Sequence, residues 1–192
     1  MRKSGFGISV DVPTGWASSI QRRPVDAPMD APLGASPDVP PGAVPSPDAR
    51  GTAPAAPSGP GERTLPVLHV CSRPIPAGVG DFGAGLLEVL GTEDVFVALL
   101  EYGSDLAGEG LFARQGWPRL APSQFSPSRM FREIPGRSAS QHFFTAQERA
   151  FCLFTVVGSH SRRMASVPRA ASVVRSMGAE SATTMLRRGV VV

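Results

Sequence analysis

Lysine is almost absent from this chain. Lys3 is the only one, so nearly all of the positive charge is arginine. With abundant alanine, glycine and proline, that skew reads as the codon bias of a GC-rich genome. It weakens any step from basic charge to nucleic acid. Cysteine is scarce as well. Cys71 and Cys152 each sit in an apolar run of strand character, which predicts two buried thiols, since a free cysteine packs as a small hydrophobe. A disulfide would require the two strands to be neighbours. No C-x-x-C or H-x-x-x-H spacing exists, so no metal site is expected. No apolar stretch follows the basic Met1-Arg2-Lys3 start, and no run approaches the roughly 20 apolar residues of a membrane span. Neither a secretion signal nor a membrane contact is expected, and the chain reads as cytoplasmic.

Aromatic residues are missing altogether from residues 24–63, which hold 11 of the 20 prolines. Such a stretch offers too little apolar surface to offset the entropy of ordering, and it reads as a disordered Pro/Ala-rich insertion. Asp26, Asp30, Asp38, Asp48 and Glu62 outweigh Arg50 and Arg63 there, so the insertion carries −3 and the remainder +6 of a formal +3. The insertion is expected to loop out between two strands of one sheet, because closing a longer loop adds only about 0.6 kcal/mol per doubling. A docking role for it would call for a basic-flanked P-x-x-P core, which is lacking.

The remaining chain predicts one α+β domain over residues 5–177. Phe6, Ile8, Val10 and Val12 alternate with small or polar residues, the period of a half-buried strand. A second short strand is expected from Trp16 to Arg23. Leu65–Ser72 and Asp94–Tyr102 are apolar on both faces, as central strands are. A short helix is expected over residues 83–90 and a strand over Arg129–Ile134. Ser140–Phe144 and Arg149–Val157 flank a turn at Thr145–Glu148 and read as a hairpin. Ser166 then caps a helix with Pro168 in its first turn, and Gly178 ends it. Residues 178–192 show no pattern and read as a frayed tail. The expected architecture is an antiparallel sheet of five to seven strands with the C-terminal helix packed on one face.

The sharpest motif is Gly78-Val-Gly80-Asp-Phe-Gly83. It matches G-x-G-x-x-G between two apolar runs, and Glu101 follows at the end of the second. In a dinucleotide fold such glycines admit a pyrophosphate at a helix N-terminus and such an acid holds the ribose. The context argues otherwise: two prolines precede the motif, and the helix after it is too short to cross between parallel strands. Nucleotide or dinucleotide binding through Gly78, Gly80, Gly83 and Glu101 is therefore the alternative reading, and no cofactor is expected. Asp81-Phe82-Gly83 also spells a kinase triplet, but no H-R-D loop accompanies it.

Other polar groups are weaker candidates. His69 and Cys71 share a strand face, and with His142 or Cys152 they would make a zinc set or a Cys–His pair; packed core groups are the plainer reading. Arg162 and Arg163, with Arg169 one turn on, offer a possible anion site, and together with Arg175 a weak nucleic-acid surface. Glu148 and Arg149 at the hairpin turn read as an exposed ion pair. Trp16 and Trp117 pack loops on the sheet or line a ligand pocket.

The opening Gly-Ile-Ser-Val-Asp-Val-Pro-Thr-Gly-Trp16 resembles the first strand of PsbP-like domains, and residues 149–177 are similar to their closing strand and helix. The chain also resembles uncharacterised actinobacterial proteins of this size. The resemblance implies a central antiparallel sheet flanked by helices. It further implies an assembly or binding accessory with no shared catalytic residues. The function expected is thus a non-enzymatic binding or accessory module acting through protein contacts; nucleic acid is not the expected partner.

Overall fold

The computed structural model describes residues 1–24 and 64–187. The expected insertion, apart from Pro24, and the end of the expected tail lie outside the described residues. Arg2–Gly5 (β1) and Ile8–Asp11 (β2) form an antiparallel hairpin closed at Gly5↔Ile8. Phe6 and Gly7 make its turn with φ of 49° and 69°, the left-handed pair that a tight hairpin turn demands. The alternation therefore starts at Ile8, and Phe6 belongs to the turn instead of the strand.

The main sheet contains Ala17–Pro24 (β3), Thr64–Cys71 (β4), Val95–Gly103 (β5), Ser138–Ala146 (β6) and Arg149–Val157 (β7), in the spatial order β3-β4-β5-β7-β6. Every neighbouring pair is antiparallel. The pairing of β3 with β4 runs from Ala17↔Cys71 to Pro24↔Thr64, so the strands before and after the insertion share one sheet. The β6–β7 hairpin is tighter than the sequence suggests. Its turn is Gln147-Glu148 alone, with φ of 54° and 61°. The fold is α+β with antiparallel sheets and a C-terminal helix on one face, as expected; the first two strands form a separate small sheet.

Arg163–Ser176 (α1) starts before the predicted cap. Ala165 and Ser166 donate their backbone N–H groups to the Arg162 carbonyl, so the helix opens there and Ser166 is buried within it. Pro168 falls in the interior, where its missing N–H removes one helical bond. The helix expected over residues 83–90 is only a 3-10 turn at Leu87–Val89, because Gly83 and Gly85 take φ of 89° and 83°. The strand expected at Arg129–Ile134 does not form. Pro127–Arg129 is a 3-10 turn, and Met130 is buried without strand pairing. The tail is the largest difference. Gly178–Ala179 (β8) pairs with β2, and Ala182–Arg187 (α2) buries Ala182 and Met185.

Two apolar layers clothe the main sheet. On one face Val97, Leu99 and Leu153 meet Val167, Ala170 and Val174 of α1, joined by Ile8 and Val10 of β2. On the other, Phe96, Leu100 and Phe154 meet Val79, Leu86 and Met130 from the long connections. Among the described residues no helix is long and apolar enough to cross a membrane.

Candidate functional site

The G-x-G-x-x-G loop and Glu101 lie on opposite faces of the sheet. Val79, Leu86 and Leu87 pack with Phe96 and Leu100, whereas Glu101 alternates with Leu100 and points to the α1 side, next to Phe151 in register. The loop's amides are also engaged. Gly80 donates to the Ala84 carbonyl and Gly83 to that of Gly80. Gly83 is small because its neighbour is close: a Cβ there would come within 2.7 Å of the Phe96 ring. Gly78, by contrast, has open space around it. The structure does not assemble Gly78, Gly80, Gly83 and Glu101 into one site.

Glu101 has another partner. Arg149 donates from Nε to its Oε1 at 2.9 Å and from Nη2 to its Oε2, with both side chains fully buried. The guanidinium also donates to the backbone carbonyls of Phe6, Gly7 and Glu180. Arg149 is thus the hub that ties the β1–β2 turn and the tail to the main sheet, and it corrects the expectation of an exposed pair with Glu148. It also docks the described part of the tail: the Glu180 carbonyl is held by Arg149 and Met185 packs over Gly7.

The expected anion site is largely spent on internal contacts. Arg162 pairs with Glu93 at 2.6 Å. Arg169 donates to the Glu93 carbonyl and lies over the Trp16 ring. Arg163 donates to the His160 carbonyl. Arg162 and Arg169 thus meet at Glu93, on its carboxylate and its carbonyl, while Arg163 turns to His160.

Cys71 and Cys152 are free and buried. They sit on β4 and β7, which are separated by β5, so no bridge joins them. Burial raises the Cys71 thiol and pushes Cys152 up to about 12. His69 faces the same side as Cys71, with Nε2 2.7 Å from the Asp81 carbonyl, and burial lowers its pKa. His142 lies on the opposite face from His69 and Cys152. Among the described residues no three His, Cys, Asp or Glu side chains are grouped to hold a metal.

A different surface does bring accessible chemistry together. Between β5 and β6 the chain returns through a long loop that touches the β6 edge twice. Arg114 and Gly116 bond Thr145, and Ser126 bonds Ala139. Between those touches the loop swings onto the α1 face. Trp117 packs at 5.2 Å from Phe144 and 6.0 Å from Phe151, centroid to centroid. The loop and the end of α1 enclose a cleft of about 500 Å³ lined by Trp117, Leu120, Val174 and Met177, with Arg119 and Arg175 alongside. Both arginines are exposed, and neither forms a hydrogen bond or ion pair with any described residue. The cleft therefore offers an apolar floor with two uncommitted guanidinium forks, which bind carboxylates in bidentate fashion.

Trp117 was marked by the sequence as a pocket candidate, and the structure bears on it directly. Arg119 carried no signal there. Only the fold shows that its neighbour in space is Arg175, 56 positions away along the chain. Compared with known proteins, the chain matches no protein-family model, no curated protein and no solved structure.

Proposed function

We propose that this protein is a non-enzymatic binding module that acts through protein contacts in the cytoplasm. It takes an acidic segment with an apolar side chain from a partner protein into the cleft beside Trp117. The observation that carries this reading is the pairing of an aromatic-floored cleft with Arg119 and Arg175, both exposed and without a partner among the described residues. Protein interfaces are enriched in just these types, aromatic residues and arginine around an apolar centre. The resemblance to PsbP-like accessory domains points the same way.

Selection of random peptides on the immobilised full-length protein tests the proposal. Selected peptides should be rich in Asp or Glu next to Leu or Phe, and Arg119→Glu with Arg175→Glu should weaken their binding at least about tenfold. Peptides without acidic enrichment, or binding indifferent to both substitutions, would overturn it.

A further inference from the structure

Among the described residues strand β6 is an edge of the main sheet, with β7 as its one strand neighbour. In an antiparallel strand alternate residues turn their N–H and C=O groups outward. Ala139 and Thr145 use theirs on the 113–129 loop: Ala139 exchanges both bonds with Ser126, and Thr145 bonds Arg114 and Gly116. Gln141 and Phe143 share that outward phase. Their backbone groups have no bond on the outer side from any described residue, so two donors and two acceptors stand open between two closed ends. At about 3.4 Å per residue, the closed ends at Ala139 and Thr145 stand roughly 20 Å apart and the open pair between them, Gln141 and Phe143, spans about 7 Å. Edge strands are ordinarily blunted by proline, bulges or cover; here the loop covers both ends and leaves the middle unpaired.

The flanks of this opening are basic. Arg114 lies at the Thr145 end and Arg129 at the Ala139 end, through the 3-10 turn that follows Ser126. Both are exposed, and neither side chain forms a hydrogen bond or ion pair with a described residue. Both are close enough to His142, in the middle of the strand, to add to the effect of burial in lowering its pKa. A neutral His142 leaves the centre of the slot uncharged between two positive ends.

The geometry points to strand addition: the open stretch of β6 at Gln141–Phe143 takes an extended segment of a partner protein with acidic residues at either end, held by main-chain bonds to Gln141 and Phe143 and by Arg114 and Arg129. This deepens the binding-module reading and rests on it for the class of partner, but it uses a separate surface from the Trp117 cleft. Main-chain pairing supplies affinity in such sites, and the flanking charges supply selectivity.

The test is residue-resolved amide exchange on the full chain, with and without the blocked peptide Glu-Val-Thr-Val-Thr-Glu. Exchange at Gln141 and Phe143 should slow about tenfold or more on peptide addition. The same peptide with lysine for both glutamates, or N-methylated at every residue, should have no effect. Gln141→Pro removes an outward N–H that β7 does not use, and Arg114→Glu with Arg129→Glu reverses the flanking charge; each should abolish the protection. Unchanged exchange with peptide would overturn the proposal. So would amides already slow in the free chain, which would mean that the chain covers its own edge, or protection that grows with protein concentration alone, which would mean a second copy. Arg119→Glu with Arg175→Glu should leave this protection intact, so loss of the cleft and loss of the slot are read separately.

Discussion

Arg149 holds the Glu180 carbonyl with the same guanidinium that pairs with Glu101, donating from Nη1 at 3.1 Å while Nε donates at 2.9 Å. One buried side chain thereby joins β5, the β1–β2 turn and the start of the tail. Removing one member of a buried pair leaves the other charged and unpartnered, which costs about 3–5 kcal/mol. Arg149→Met should therefore lower the urea midpoint strongly and free residues 178–187 to exchange. Arg149→Lys should not restore it, because an ammonium cannot reproduce the planar fork that serves Glu101 and three carbonyls. The double variant Arg149→Met, Glu101→Leu should recover part of the loss. Additive losses in the double-variant cycle would contradict the pairing.

The β6–β7 turn offers a gain in stability. Gln147 and Glu148 both occupy left-handed conformations that asparagine and glycine tolerate better. Gln147→Asn with Glu148→Gly should raise stability by about 1 kcal/mol. The gain is reduced by loss of the Thr183 hydroxyl bond to Glu148. Thermal melts of the double variant beside the parent chain read it directly.

Glycine substitutions separate packing from ligand chemistry in the 78–83 loop. Gly83→Ala meets Phe96 and should destabilise the fold. Gly78→Ala faces open space and should cost only the left-handed backbone penalty of about 1–2 kcal/mol. A nucleotide-dependent rise in melting temperature that Gly78→Ala removes would reinstate phosphate contact at this loop.

The histidines set an acid limit. Burial lowers the pKa of His69 and of His142 below the unfolded value near 6.5. The unfolded chain then binds more protons between the folded and unfolded pKa values, so stability is full above about pH 6.5 and falls as the pH drops below it. His69→Gln with His142→Gln should flatten that slope in urea titrations run from pH 7 to 5. An unchanged slope would show that other groups govern it.

Much of this fold was legible because alternation is a local signal. Ile8 and Val10, the apolar β4 and β5, and the β6–β7 hairpin all declare themselves within a few residues. What stayed hidden depends on partners distant in sequence. Arg149 beside a turn looks like a surface charge until the fold lays Glu101 beneath it. Gly178–Ala179 has no strand signal of its own and becomes one by pairing with Ile8 and Ser9. The four-residue shift of the α1 cap, from Ser166 to Arg162, has the same origin, since the Arg162 carbonyl and the sheet beneath decide where the first turn closes. The two proposed binding surfaces were the least legible part: Arg114, Arg119 and Arg129 lie in a loop without periodicity, and Arg175 joins Arg119 only through the packing of α1 on the sheet.

The proposed partner meets the α1 face of the sheet. Amide chemical-shift mapping of the full chain with a selected acidic, apolar peptide tests it most directly. The predicted footprint covers Trp117–Leu120 and the C-terminal turn of α1, with Arg119 and Arg175 side chains among the strongest responders. A footprint centred on residues 78–90, across the sheet from α1, would contradict it.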